Sequence, residues 1–301
     1  MKKRPPNVLI LVLALFAQGA VLATAQTASA PNYLQERSQR AKALTQPYGW
    51  FSLIALEWIK PGLNTIGSAK DNSIVLPKAP AHLMTLNQTG GKVELIAADK
   101  SLTVAGTRPE LHGAHPVISA DEGDKSAMAV GALHMWAINR GDKRYLRVKD
   151  SEAPTLKQFH GLRWYAPQPQ YRVTARWIPY SGPHTLQVIN KLGQKTPTKV
   201  PGYVEFEIDG KKQKLVPMEA SPEELFFVFR DMTFLKTTDG GRFLTTAGPS
   251  AGLNKPGTVV LDFNSAVNPP CAYSPFATCP LASPENRLPV SIPAGEKRYE
   301  D

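Results

Sequence analysis

Hydrophobic and polar residues alternate in short runs along most of the chain, and the helical period is confined to one segment near the start. That segment, 33-YLQERSQRAKAL-44, predicts a single helix that begins with a capping box of Asn32 and Gln35 and ends before Pro47. Alternating or β-rich runs follow at 50–58, 73–77, 92–98, 133–140, 144–150, 171–180, 185–190, 203–218, 225–231 and 258–264. The pattern predicts a mainly β protein of the sandwich or barrel kind.

Two short motifs mark turns between these strands. Asp209-Gly210 is a strong signal for a two-residue hairpin inside 203–218. The segment 248-GPSAG-252 matches the serine motif of α/β-hydrolases, but that site needs a helix directly behind the serine. The following residues, 252-GLNKPG-257, cannot start a helix. We therefore predict a simple turn between two strands at Ser250.

The first residues predict a signal peptide. Three cations at positions 2–4 precede an apolar run at 8–22, which is shorter than the ~20 residues that span a bilayer. The run ends in 23-ATA-25, so we predict cleavage after Ala25 and a periplasmic or secreted protein. The protein would then contact the membrane only through residues 1–25, before these residues are cleaved off. An uncleaved membrane anchor is the competing interpretation.

The rest of the chain divides at a polar, proline-containing segment, 151-SEAP-154. We predict an N-terminal helix and linker at 26–46, a β domain at 47–150 and a second β-rich domain at 151–301. The two β regions could equally be halves of one compact unit. The oligomeric state is left open.

The formal charge of +10 is scattered, and the densest cluster is 211-KKQK-214. The clustered basic stripe of nucleic-acid-binding proteins is missing, and an exported protein meets little nucleic acid, so we predict none as a partner. A basic surface of this kind could meet a small anionic ligand or an envelope component, and a surface that is simply soluble and cationic is the preferred interpretation of the charge. The sequence has no nucleotide-binding or zinc-protease motif, and we predict no cofactor and no metal site.

Cys271 and Cys279 are the two cysteines of the chain, and they lie in the proline-rich stretch 268-NPPCAYSPFATCPLASPENRL-288. Cysteines in an oxidising compartment usually pair, so we predict a disulfide between them. A metal site would need more ligands than this pair offers, and redox pairs usually have the tighter C-x-x-C spacing.

The segment 61–83 contains Ile66-Gly67, the strand 73-SIVLP-77 and His82. It resembles the opening of a forkhead-associated domain, a β-sandwich that reads phosphothreonine peptides. The resemblance implies a sandwich over 47–150. Ser68 and Ala79 stand where that family has its phosphate-binding arginine and serine. Phosphopeptide binding is therefore only a third hypothesis.

A second resemblance is carried by several short motifs in the C-terminal half. They are Gly241-Arg242-Phe243-Leu244, Asp262-Phe263-Asn264, Asn268-Pro269-Pro270-Cys271, Cys279-Pro280, Glu285-Asn286-Arg287-Leu288 and Ala294-Gly295-Glu296. With 57-EWIKPGLNTIGS-68 upstream, the chain resembles a bacterial family known as domain of unknown function 1684 over roughly 35–300. A Thr-Tyr pair of that family is missing from 231-DMTFLKTTDGGR-242. The resemblance implies no reaction.

The same half supplies the candidate site residues. The candidate ligand-binding residues are Arg242, Asn264, Asn268, Asn286 and Arg287. Weaker candidates for an acid or base role are Asp231, Asp262 and Glu285. Paired with Arg230, Arg242 and Arg287, these carboxylates would instead clamp the loops to the sheet, and both roles stay open.

Two functions from different classes fit these candidates. The first hypothesis is a ligand-binding or structural module, because no known catalytic constellation is present. The alternative is an enzyme of hydrolase or isomerase type that acts on an envelope metabolite, with the loop carboxylates as acid or base and Arg242 for an anion.

Overall fold

A computed structural model of the protein describes residues 31–111, 115–118 and 126–299. The chain from Tyr33 onward forms one unit that contains two large hydrophobic cores. The predicted signal peptide and its cleavage site lie outside the described residues. The proposed division at 151–154 stays a prediction.

The first core lies between two mainly antiparallel sheets. Their strands are β1 (Leu53–Ile59), β2 (Gly62–Gly67), β3 (Ile74–Val75), β4 (Met84–Thr89), β5 (Lys92–Ala98), β6 (Thr103–Val104), β7 (Met128–Val130), β8 (Leu133–Arg140) and β9 (Lys143–Asp150). One sheet has the order β1-β9-β8-β7-β6, and the other has the order β3-β2-β4-β5. Alternate residues such as Leu86, Leu95, Leu146 and Val148 are fully buried between the sheets.

The second core has the same plan. Its strands are β10 (Arg172–Ile189), β11 (Lys195–Ile208), β12 (Lys211–Leu215), β13 (Glu219–Ala220), β14 (Glu224–Phe229), β15 (Arg242–Ala247) and β16 (Gly257–Asp262). A sheet of order β12-β11-β10-β16 faces a sheet of order β13-β14-β15. Trp177, Val204 and Phe227 are fully buried between them. The fold is thus mainly β, as predicted.

The chain after the last strand completes the second core without forming a strand of its own. Residues 290–299, which we call the C-terminal strap, bury Val290, Ile292 and Ala294 in that core. The strap is tied to the sheet region by backbone bonds from Met232 N to Val290 O and from Tyr165 N to Gly295 O. Its irregular backbone therefore needs side-chain partners, which the candidate residues supply.

The predicted helix is present as α1 (Tyr33–Leu44), and a second helix, α2, is only one turn long (Pro154–Lys157). Helix α1 packs on the loop after β16: Tyr33 Oη donates to Asp262 Oδ2 at 2.8 Å, and Ser265 Oγ donates to Glu36 Oε2 at 2.8 Å. None of the described helices is both long and apolar enough to cross a membrane.

Both predicted turns are confirmed. Asp209 and Gly210 have positive φ and join β11 to β12. Ser250 lies between β15 and β16, where its hydroxyl accepts from Thr258 N at 2.9 Å and no helix follows. The runs at 171–180 and 185–190 belong to one long strand, β10, with an irregularity between Pro179 and His184.

Candidate functional site

A buried ion pair holds the C-terminal strap. Arg242 begins β15, and its Nη1 lies 2.6 Å from Asp231 Oδ2, with 1% and 0% of the two side chains exposed. Arg242 also donates to the carbonyls of Ile292, at 3.0 Å, and Ala294 in the strap. Burial lowers the pKa of Arg242, and the carboxylate of Asp231 opposes that effect.

The second carboxylate oxygen of Asp231 is also hydrogen-bonded. Its Oδ1 accepts from the backbone N of Thr233 at 2.7 Å and from the Thr233 hydroxyl at 2.5 Å. That hydroxyl lies 2.8 Å from the hydroxyl of the buried Thr238. Since both oxygens of Asp231 have donors, the carboxylate is a structural anchor whose hydrogen bonds are already made.

Gly295 explains why the strap comes so close to Arg242. Its φ of +78° is unfavourable for other residues. A Cβ there would lie 2.4 Å from Ala266 O, 2.7 Å from Phe263 O and 2.9 Å from Arg242 Nη2. The glycine of Ala294-Gly295-Glu296 is therefore required by this contact.

Next to it, Glu296 is the centre of a second buried network. Its side chain is 1% exposed and accepts from Asn268 N at 3.0 Å, from Asn268 Nδ2 at 3.2 Å and from the Tyr273 hydroxyl. Arg40 of α1 lies 3.5 Å away and also donates to Asn268 O at 2.7 Å. Burial raises the pKa of Glu296, against the influence of Arg40.

Asn264 and Asp262 form a third group at the end of β16. Asn264 exchanges two hydrogen bonds with the backbone of Gln168, at 2.9 and 3.0 Å, and is 1% exposed. Asp262 accepts from Asn264 N at 3.1 Å and lies 3.4 Å from Arg172. Asp262 thus pairs with Arg172 and Tyr33, not with one of the three arginines considered from the sequence.

Asn286 joins two strands and a loop. Its side chain accepts from Val216 N at 2.8 Å and donates to the carbonyls of Val216 and Val228 at 2.8 and 2.9 Å. It is 2% exposed. The neighbouring Glu285 is exposed, and its Oε2 lies 4.0 Å from Nε2 of His184.

Three cations near these anchors, of which Lys236 and Arg287 are exposed and Arg230 is half-buried, surround a cavity. A cavity of about 350 Å³, which we call the basic pocket, is lined by Arg230, Asp231, Met232, Phe234, Lys236, Arg287, Leu288 and Pro289. Arg230 lies with its guanidinium 4.5 Å from the Phe234 ring centre. The backbones of Arg230 and Arg287 are paired. Within the described part of the chain, neither guanidinium has a carboxylate partner.

The predicted site residues therefore separate into two groups. Arg242, Asn264, Asn268 and Asn286 are buried and each makes hydrogen bonds to other parts of the chain, so the structure places them as anchors. Arg287 and Asp231 line the basic pocket, although the side chain of Asp231 is fully buried. Asp262 and Glu285 are absent from its lining, so the basic pocket does not bring the three carboxylates together.

The sequence alone does not mark Arg40, Tyr273, Lys236 or Glu296 as site residues. Glu296 was visible only as the last letter of a family motif, and Arg40 lies on a helix far away in the chain. No sequence signal connects positions separated by more than two hundred residues.

The two cysteines lie side by side as free thiols. Cys271 N is 3.1 Å from Cys279 Sγ, and the pair packs with Leu53 of β1 and Phe243 of β15. A hydrogen bond from Cys279 lowers the pKa of Cys271, and the same bond raises the pKa of Cys279. The disulfide stays a prediction.

No cluster of three or more His, Cys, Asp or Glu side chains that would suit a metal ion occurs in residues 31–111, 115–118 and 126–299. The polar groups described above are thus organised around arginine and asparagine side chains.

The family comparison concerns this same half. Residues 157–297 match the family described as "Protein of unknown function (DUF1684)", and this part of the chain belongs to it. The match is shorter than the expected 35–300, but it contains the basic pocket and most of the strap. It ends at Lys297, directly after Glu296.

The solved structures similar to the chain include the solution NMR structure of an uncharacterized protein of Haloarcula marismortui, with 30% identity over 47% of this chain and 78% of that chain. The TM-score is 0.39, which is too low to support an argument about the fold. No curated protein matches the chain.

Proposed function

We propose that the protein is a ligand-binding module and that the basic pocket takes a small anion. The observation that carries this proposal is the charge of the lining. Arg230, Lys236 and Arg287 surround the cavity, and the one acidic residue of its lining, Asp231, has a buried side chain that is already paired with Arg242. The net field in the cavity is therefore positive.

The arginines suit an anion with several oxygens. A guanidinium offers parallel N–H donors that match a carboxylate or a phosphate, and such charge-assisted bonds are short and strong. Phe234 supports the guanidinium of Arg230 from one side, which restricts its orientation. Less side-chain entropy is then lost when a ligand binds.

Rigid backbone surrounds the pocket. Arg230 N donates to Asn286 O at 3.1 Å, and Leu288 N donates to Arg230 O at 2.8 Å. Asn286 and the Arg242–Asp231 pair hold the segments on either side. In this account the buried anchors position the cations that contact the ligand.

The hydrolase or isomerase alternative would place Asp231, Asp262 and Glu285 in acid or base roles. No observation favours that alternative, because the three carboxylates contact three different basic residues: Arg242, Arg172 and His184.

We also propose that the protein acts in the periplasm or outside the cell after removal of residues 1–25. Sequencing the N-terminus of the exported protein tests this: Gln26 as the first residue supports it, and an intact N-terminus contradicts it. The forkhead-associated architecture of 47–150 is a further proposal. The close contact of Gly67 with Ala81 O, where a Cβ would lie at 2.2 Å, is consistent with a tight loop at that end.

The direct test is calorimetric titration with inorganic phosphate and with citrate at low ionic strength. We expect saturable binding to the wild type and at least ~10-fold weaker binding to the Arg230→Ala/Arg287→Ala double variant, because charge-assisted bonds contribute about 1.5–3 kcal/mol each. Lys255→Ala, on the exposed loop before β16, is the matched control and should bind like the wild type. Equal affinities in all three proteins would contradict the proposal.

A further inference from the structure

A second cavity lies where the two sandwiches meet. This junction cavity, of about 450 Å³, is lined by the β8–β9 turn, the β10–β11 hairpin, the start of β13 and the loop beside Cys279. Its lining polar residues include Arg140, Gln194, Thr196, Thr198, Glu219 and Thr278. Elements from both cores thus contribute to one polar cavity.

Arg140 is the one residue with a formal positive charge in this lining. Its Nε donates to Thr278 Oγ1 at 2.5 Å and its Nη1 to Asn139 O at 2.7 Å. Among the described residues no carboxylate lies within ion-pair distance of it, although Glu219 lines the same cavity. Burial lowers the pKa of Arg140. A half-buried guanidinium with only neutral partners leaves room for an anionic one.

The backbone around Arg140 is fixed. Gln194 Nε2 donates to Arg140 O at 2.6 Å, and Asn190 Nδ2 donates to Gln194 Oε1 at 2.8 Å. Asn190 also accepts from Leu192 N and Gln194 N, which shapes the β10–β11 turn. The turn of the second sandwich is therefore held against the β8–β9 turn of the first.

Two hydroxyl groups and one carboxylate complete the lining of the junction cavity. Thr196 and Thr198 stand two residues apart on β11, so they face the same side of the strand and both line the cavity. Their hydroxyls make no hydrogen bond to the described residues. Glu219 is exposed and adds a strong acceptor. Such a set matches a ligand that carries several hydroxyl groups.

We propose that the junction cavity binds a small carboxylate that carries hydroxyl groups, of the sugar-acid class. Its carboxylate would pair with Arg140, and its hydroxyls would contact Thr196, Thr198 and Glu219. A multiply charged anion suits the basic pocket better, because three cations meet there and only one meets here. The two sites take different ligands and contain no common residue.

The test is calorimetric titration of the full exported chain with D-glucuronate, with D-glucose as the neutral analogue. We expect glucuronate to bind the wild type and to bind Arg140→Gln at least ~10-fold more weakly. Arg144→Gln, on the neighbouring β9, is the matched control and should bind like the wild type. Glucose should bind at least ~10-fold more weakly than glucuronate.

Three outcomes would overturn the proposal: no glucuronate binding to the wild type, equal binding to Arg140→Gln, or equal binding of glucose. Phosphate binding to Arg140→Gln reports on the basic pocket, so failure of one site is distinguishable from failure of the other. If Arg140→Gln does not fold, Thr198→Val serves instead. Loss of one hydroxyl contact should weaken glucuronate binding about five-fold, and an unchanged affinity would overturn the proposal.

Discussion

The guanidinium of Arg242 donates to the carboxylate of Asp231 at 2.6 Å, in a position where neither side chain reaches water. The same guanidinium binds the carbonyls of Ile292 and Ala294, so one ion pair connects β15, the loop after β14 and the C-terminal strap. Burying both charges is costly, and the ion pair together with the two bonds to carbonyl oxygens offsets that cost.

Asp231→Asn should therefore destabilise the protein strongly. The change leaves Arg242 buried without its counter-charge, which costs about 3–5 kcal/mol of unfolding free energy. Chemical denaturation measures this, with the exposed Asp142→Asn as the matched control. A loss no larger than that of the control would show that the pair does not hold the strap.

Asn286→Ala removes three hydrogen bonds to Val216 and Val228 and leaves their backbone groups buried without a partner. We expect a loss of about 3 kcal/mol of unfolding free energy, since unsatisfied buried groups cost about 1–3 kcal/mol each and part of the site relaxes. The exposed Asn254→Ala is the control. Equal stability of the two variants would contradict the anchoring role.

The raised pKa of Glu296 predicts a pH effect of defined sign. Because the pKa in the folded chain lies above the ordinary value of 4.5, protonated Glu296 favours the fold. That contribution is complete below pH 4.5 and is lost as the pH rises through the folded-state pKa. Thermal unfolding from pH 4 to pH 8 measures it.

Glu296→Gln is the comparison for that series. The amide NH2 of the glutamine would face the N–H donors of Asn268, so the variant should have a lower melting temperature at every pH. The glutamine side chain does not titrate. The wild type should thus lose stability relative to this variant as the pH rises. Parallel curves would show that Glu296 does not change its protonation state in this range.

The exported protein should contain a Cys271–Cys279 disulfide, because the two residues are already adjacent. Intact mass spectrometry should give a mass lower by two hydrogens than that of the reduced protein. The loop is short, so reduction should lower the unfolding free energy by only about 2–3 kcal/mol. Two free thiols in freshly exported protein would contradict the prediction.

The sequence predicts local features well. The helix at Tyr33–Leu44 and the hairpin at Asp209-Gly210 follow from periodicity and turn chemistry, which act over a few residues. Strands β4 and β15 do not stand out, because 84-MTLNQT-89 and 242-RFLTTA-247 are rich in polar residues. Their place in the fold depends on the neighbouring strands.

The candidate site is only partly predictable, because its decisive property is burial. Arg242 and Arg287 look alike in the sequence, yet Arg242 is 1% exposed and Arg287 is exposed. Arg242 is buried because Asp231 and the strap meet it, and the strap is fixed by long-range contacts. Local sequence therefore identifies the charged groups but not which of them remain free for a ligand.

The most direct test of the basic pocket follows the arginine side chains themselves. In NMR spectra of the protein, titration with inorganic phosphate should shift the Nε–H signals of Arg230 and Arg287 in a saturable way. The signal of Arg176, whose Nη2 lies 2.7 Å from Glu205 on the surface, should stay in place. If Arg230 and Arg287 respond no more than Arg176, the basic pocket is not the ligand site.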